Sequence, residues 1–217
     1  MVEGLRERKK TQMRERLRVV AAELFVERGF DGVSIAEIAA AADVSKMTVL
    51  NYFATKEDLV VAPLEDHVDE PARVVRERAP GESALAALRR QFLAALAEHD
   101  PATGLNDVPR VRAMQQLMMS TPALLLRVRD FAARSAEALA AAFAEQTGAA
   151  PDDLTPRFAA EQVMAVRFAL VTENGRRISA GESADAVYPD AVAAANLGFD
   201  LLEHGLGNYP AGELVTG

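Results

Sequence analysis

Between Ser45 and Phe53 the chain reads SKMTVLNYF, and its residue types suit the edges of base pairs. At 100° per residue, Ser45, Val49, Tyr52 and Phe53 fall on one side of a helix and face a core. Met47 and Asn51 point away from it, with Lys46 and Leu50 on one shoulder and Thr48 on the other. A helix of this size fits the major groove, where asparagine pairs bidentately with adenine, lysine with guanine, and an apolar tip meets a thymine methyl. A small core helix with a solvated face is the plainer alternative, and it leaves Lys46, Met47 and Asn51 unexplained.

The elements that position this arc are legible on either side. Met13, Leu17, Val20, Ala21, Leu24 and Phe25 recur at helical spacing, and Gly29 follows where a left-handed cap ends a helix running from about residue 10 to 28. After the Asp31-Gly32 turn, Ser34 stands three residues before Glu37, the spacing of a capping box. It opens a short second helix with Ile35, Ile38 and Ala39 inward. Asp43 occupies the reversal, being one of the few non-glycine residues that tolerate the left-handed conformation. Ser45 then caps the third helix.

Charge divides along the chain. The net charge is −8, yet residues 1–62 carry ten bases and ten acids while residues 63–217 carry fourteen bases and twenty-two acids. Within the first eighteen residues, Arg6, Arg8, Lys9, Lys10, Arg14, Arg16 and Arg18 face only Glu3, Glu7 and Glu15, a local excess that attracts phosphate or simply solvates a helix start. Half the residues are apolar, which supports a packed core. Without cysteine there are no disulfides, thiolate zinc sites or cysteine nucleophiles. No apolar run is long enough for a membrane span, and the charged N-terminus lacks a signal-peptide core, so the expected location is the cytoplasm.

The run from Ser34 to Leu59, SIAEIAAAADVSKMTVLNYFATKEDL, resembles the TetR family of one-component regulators in the order and spacing of its parts. The resemblance implies a helix-turn-helix DNA-binding domain over residues 1–54 and a ligand-binding and dimerisation domain over 55–217. Carried over by position, it makes Lys46, Met47, Thr48, Leu50 and Asn51 candidates for base or nearby backbone contacts, with Tyr52 and Lys56 holding phosphates. Ser34 binds a phosphate through the free N–H groups of its helix start, or only caps that helix. Asp43 replaces the customary turn glycine and Leu50 a tyrosine that often touches DNA, so the resemblance does not fix the operator sequence.

From Thr55 onward the chain reads as helices separated by proline and glycine, making the protein all-α: an N-terminal three-helix unit and a larger C-terminal bundle. Pro63 and Pro71 are expected to kink or break the fourth helix. Further helices are expected near 83–99, 109–120, 122–147, 156–179 and 185–204. The last two are apolar on several sides. Val163, Val166 and Leu170, with Val187, Ala191, Ala194, Gly198 and Leu201, read as a homodimer interface, against a monomer closing its own bundle. Relatives of this type pair through a four-helix bundle, placing two recognition helices on a palindrome.

The resemblance also implies an effector pocket. Phe92, Met114, Met118, Met119, Phe131 and Phe168 are candidates for its apolar lining, and Arg167, Thr172, Glu173 and Asn174 for its polar groups. Ordinary core or salt-bridged positions explain them equally well. An enzyme finds no visible residues: His67, His99 and His204 are isolated, and no phosphate loop or nucleophile elbow occurs. No cofactor or metal is expected. The function implied is a repressor released from operator DNA by a small molecule whose binding moves the fourth helix. A constitutive or structural DNA binder without an effector is the alternative.

Overall fold

The structure is a computed structural model that describes residues 4–205. Its described residues form ten α-helices and no strand. They are α1 (Leu5–Arg28), α2 (Ile35–Ala41), α3 (Lys46–Tyr52), α4 (Lys56–Glu65), α5 (Glu70–Arg76), α6 (Ala84–Ala97), α7 (Pro109–Ser120), α8 (Pro122–Thr147), α9 (Thr155–Ser179) and α10 (Ala184–His204). A 3-10 turn at Pro101–Thr103 precedes α7. None of the described helices is long and apolar enough to cross a membrane.

The starts of these helices are written in their sequence. Ser45, Ser83 and Ser183 each accept a hydrogen bond from the backbone N–H three residues on, and Thr55 forms a capping box with Asp58. Helix α1 begins five residues earlier than the apolar pattern predicts, because its first turns are built from charged residues that face solvent. Pro63 lies inside α4 rather than breaking it; the helix continues only to Glu65. Pro71 falls in the first turn of α5, where its missing N–H costs no helical bond.

The chain divides into two compact units. Among the described residues the first comprises 4–68 and 108–132, the second 69–107 and 133–205. This differs from the boundary expected after Ala54, because Leu59, Val60, Val61 and Ala62 of α4 are buried with the core of the N-terminal helices.

In the first unit Leu17, Ala21 and Phe25 of α1 pack with Phe30, Val33, Ile38, Ala39, Val49 and Phe53. Leu17, Ile38 and Val49 are fully withdrawn from solvent, and each such side chain contributes roughly 1.5–3 kcal/mol. The Phe25 and Phe30 rings meet at 5.3 Å. In the second unit Leu88, Phe92 and Leu96 of α6 pack with Leu139, Val163, Ile178, Val187, Ala191 and Phe199. Gly104 ends the 3-10 turn with φ 74°, and a Cβ there would stand 2.2 Å from the Val171 carbonyl oxygen. Only glycine lets this turn lie against α9.

Candidate nucleic-acid interface

Helix α2 is fixed by a closed capping box. Ser34 Oγ accepts from the Glu37 N–H at 3.2 Å, and Glu37 Oε2 accepts from both the Ser34 N–H and its hydroxyl at 2.8 Å. These bonds hold the Glu37 carboxyl below its ordinary range, with Arg28 assisting at 3.5 Å. Both the hydroxyl and the N–H of Ser34 are thus engaged in capping the helix.

The reversal into α3 runs through Asp43 at φ 51°, the left-handed conformation read from the sequence. The Val44 N–H returns to the Ala39 carbonyl at 2.9 Å and so satisfies an end group of α2. Helix α3 follows directly, with Ser45 Oγ accepting from the Thr48 N–H at 3.0 Å. Ser45 itself is exposed rather than turned to the core, because its hydroxyl serves the helix start.

Helix α3 has two unlike sides. Val49 is fully buried and Phe53, its C-terminal cap, is 3% exposed. On the other side Lys46, Met47 and Asn51 are exposed, Met47 at 63%. An apolar side chain held that far into water by a rigid helix is available to a partner surface. Thr48 is half-buried with its hydroxyl 2.9 Å from that of Ser45, and Leu50 and Tyr52 are half-buried on the shoulders.

Lys56, expected to hold a phosphate, is also engaged within the chain. Its Nζ donates to the carbonyl oxygens of Phe30 at 2.7 Å and Val33 at 3.1 Å and lies 4.2 Å from the centre of the Phe30 ring. Two of its three donors brace the loop between α1 and α2, leaving one for another acceptor. Nearby, Asp58 both closes the α4 capping box and pairs with Arg127 of α8.

The residues expected to pair two copies divide into groups. Val163, Val187 and Ala191 are buried in the chain's own core. Gly198 receives Val166 so closely that a Cβ at that glycine would stand 2.7 Å from Val166 Cγ1, and Leu170 lies beside it. These three therefore join α9 to α10 within one chain. Only Ala194 and Leu201 of the expected set are exposed. They share a surface arc with Leu197 at 62% exposure, while α9 shows Phe158 at 57% and Phe168 at 42%.

The effector candidates are likewise distributed. Met114 lines an open cleft of about 110 Å³ between α1, α4 and α7, with Val19, Phe25, Leu59 and Pro63. Met118 is half-buried beside the core of the same unit, where Phe131 is also half-buried. In the second unit Phe92 is core, whereas Phe168 and Thr172 face outward, so these three line no common pocket. Asn174 is a structural tie, its Nδ2 donating to the Thr103 carbonyl at 2.9 Å. Glu173 pairs with Arg176.

A capped helix, a tight left-handed reversal and a second helix with a buried back and a polar, exposed front define a helix-turn-helix DNA-binding protein. Residues 17–62 match the family model for bacterial regulatory proteins of the tetR family, and residues 82–180 match the MftR C-terminal domain. The transcriptional regulator TcmR of Streptomyces glaucescens is 34% identical over 161 residues, 71% of this chain and 70% of its own. The chain belongs to the TetR family of transcriptional regulators. Among solved structures, NalD, the secondary repressor of a multidrug efflux pump in Pseudomonas aeruginosa, is similar at TM-score 0.58 and 21% identity, over 87% of this chain and 97% of that one. SmeT, an efflux-pump repressor of Stenotrophomonas maltophilia solved with triclosan, is similar at 0.56 and 17%, over 89% and 90%.

Proposed function

We propose that the protein is a homodimeric repressor in the cytoplasm that leaves a palindromic operator when a small molecule binds its second unit. The observation that carries the DNA reading is the front of α3: Lys46, Met47 and Asn51 exposed on a helix held from behind by Val49 and Phe53. Lys46 and Asn51 supply hydrogen bonds to base edges, and Met47 an apolar contact to a methyl group. The third donor of Lys56 and the hydroxyl of Tyr52 are the candidates for phosphate.

Pairing of two copies is supported by the exposed apolar arc of α9 and α10. Phe158, Phe168, Leu197 and Leu201 are large apolar side chains left in water, which two copies can cover by an isologous contact. Effector release is supported by the solved repressors of similar fold, one of which is in complex with triclosan. A constitutive DNA binder would need the same α3 and no effector site.

Selection of bound duplexes from random DNA tests the reading. A single palindrome with half-sites about one helical turn apart is the expected product. Failure to enrich any duplex at low salt overturns it, and binding that no small molecule relieves favours the constitutive alternative.

A further inference from the structure

Ion pairing among the arginines of the second unit runs opposite to where it would matter most. Arg76, Arg89, Arg90, Arg176 and Arg177 are exposed or half-buried, and each reaches a carboxylate within 2.9 Å. Such pairs contribute little in water. Arg167 of α9 is different. It keeps some accessible surface, yet protein surrounds it closely enough for desolvation to be the main influence on it, lowering its pKa. Among the described residues no carboxylate pairs with it directly, and Glu70 acts on it only through its field.

Its surroundings are specific. Nη1 donates to Gln91 Oε1 of α6 at 3.0 Å, and the guanidinium carbon lies 5.3 Å from the centre of the Phe92 ring. Gln91 in turn donates through Nε2 to Glu70 Oε1 of α5 at 3.4 Å. A guanidinium offers five N–H donors in a planar fork that matches a carboxylate, and this bond uses only one. A desolvated charge without a close counter-ion is unfavourable until an anion reaches it. Met164 and Val171, three and four residues away on α9, are half-buried hydrophobics on the same side of the helix.

We propose that Arg167 is the anion receptor of the effector site, and that the effector is a monocarboxylate carried on an apolar body. The proposal rests on the effector-responsive reading and narrows its ligand class. The carboxylate accepts two parallel hydrogen bonds from the Arg167 fork, and the apolar part lies along Met164 and Val171. A second negative charge is disfavoured by Glu70, and a cationic ligand by Arg167 itself.

Thermal unfolding of the full-length protein at fixed ionic strength and neutral pH provides the test, using alkyl carboxylates of six to ten carbons against the alcohols, phosphates and amines of the same lengths. At roughly ten times its Kd a carboxylate raises Tm by about 3–6 °C. Alcohols, phosphates and amines do so at least about tenfold less tightly. Arg167→Met loses the preference for carboxylates while its own Tm without ligand equals or exceeds the parent's, and Arg167→Lys, which keeps charge without the fork, weakens carboxylate binding about tenfold. Should Arg167→Met fail to fold, the unliganded charge is structural and the proposal falls. It falls equally if no carboxylate stabilises the parent, or if alcohols match carboxylates. Carboxylate binding through Arg167 in a chain that ignores all DNA overturns the regulatory reading instead, so the two failures are distinct.

Discussion

The guanidinium carbon of Arg14 stands 5.3 Å from the centre of the Phe53 ring, joining the early turns of α1 to the residue that closes α3. Arg14 continues, one turn earlier, the stripe that Leu17, Ala21 and Phe25 bury. One and two turns further back the same stripe holds Lys10 and Arg6, both exposed. One helix face thus changes from apolar to basic where α1 extends past the core.

That basic extension is expected to lie against phosphate. Replacing Arg6, Lys10 and Arg14 together by glutamine should leave the selected operator unchanged and reduce the salt dependence of binding by about 0.9 in slope for each phosphate no longer neutralised. Fluorescence anisotropy across a salt series measures this, and an unchanged slope would show the stripe to be solvated only.

Asn51→Ala is expected to relax choice at one base pair of each half-site by about 1–3 kcal/mol while affinity for unrelated duplexes stays within about twofold. Competition with single-base operator variants reads the difference. A uniform loss across all sequences would place Asn51 on the backbone instead.

Gly104→Ala should destabilise the second unit by more than about 3 kcal/mol, since the new methyl must both occupy a left-handed conformation and displace the Val171 carbonyl. Urea unfolding followed by circular dichroism checks it. A change below about 1 kcal/mol would mean that the 3-10 turn moves freely off α9.

Acid should loosen the start of α2. Glu37 has its pKa lowered from 4.5 by its bonds to Ser34, so its contribution is present above that value and fades as pH falls through the lower folded-state pKa. Glu82, Glu145, Glu173 and Glu182 are lowered by their arginine partners and act in the same sense. Stability is therefore expected to be level near neutrality and to decline below about pH 4.5. Glu37→Gln should make that decline shallower in a series of urea midpoints, and an identical acid profile would remove Glu37 from the account.

The recognition unit was legible because its determinants are local. Ser34 with Glu37, Asp43, and Ser45 with Thr48 each act within a few residues, and the two-residue step from Val49 to Asn51, about 200° of helix, puts them on opposite faces. Lys56 was not legible, since its acceptors at Phe30 and Val33 lie more than twenty residues away and only folding brings them together. On α9 and α10 the pattern showed apolar residues on several arcs but could not say which arc meets the chain's own core. Val187 and Ala191 went inward, and Leu197, absent from the expected interface, was left in water. The chain from Arg167 through Gln91 to Glu70 joins three helices distant in sequence, and no spacing rule announces it.

Gly198 gives the last helix a notch into which Val166 nests. The tilt of α10 on α9, and with it the angle at which Leu197 is offered outward, is governed by an atom that is missing from the interior. A single methyl at that notch must displace Val166 Cγ1 or part the two helices, and it would do so with the outward-facing residues unchanged in identity. In the proposed dimer, the fit between copies would thus depend on a glycine behind the mating surface as well as on the side chains upon it.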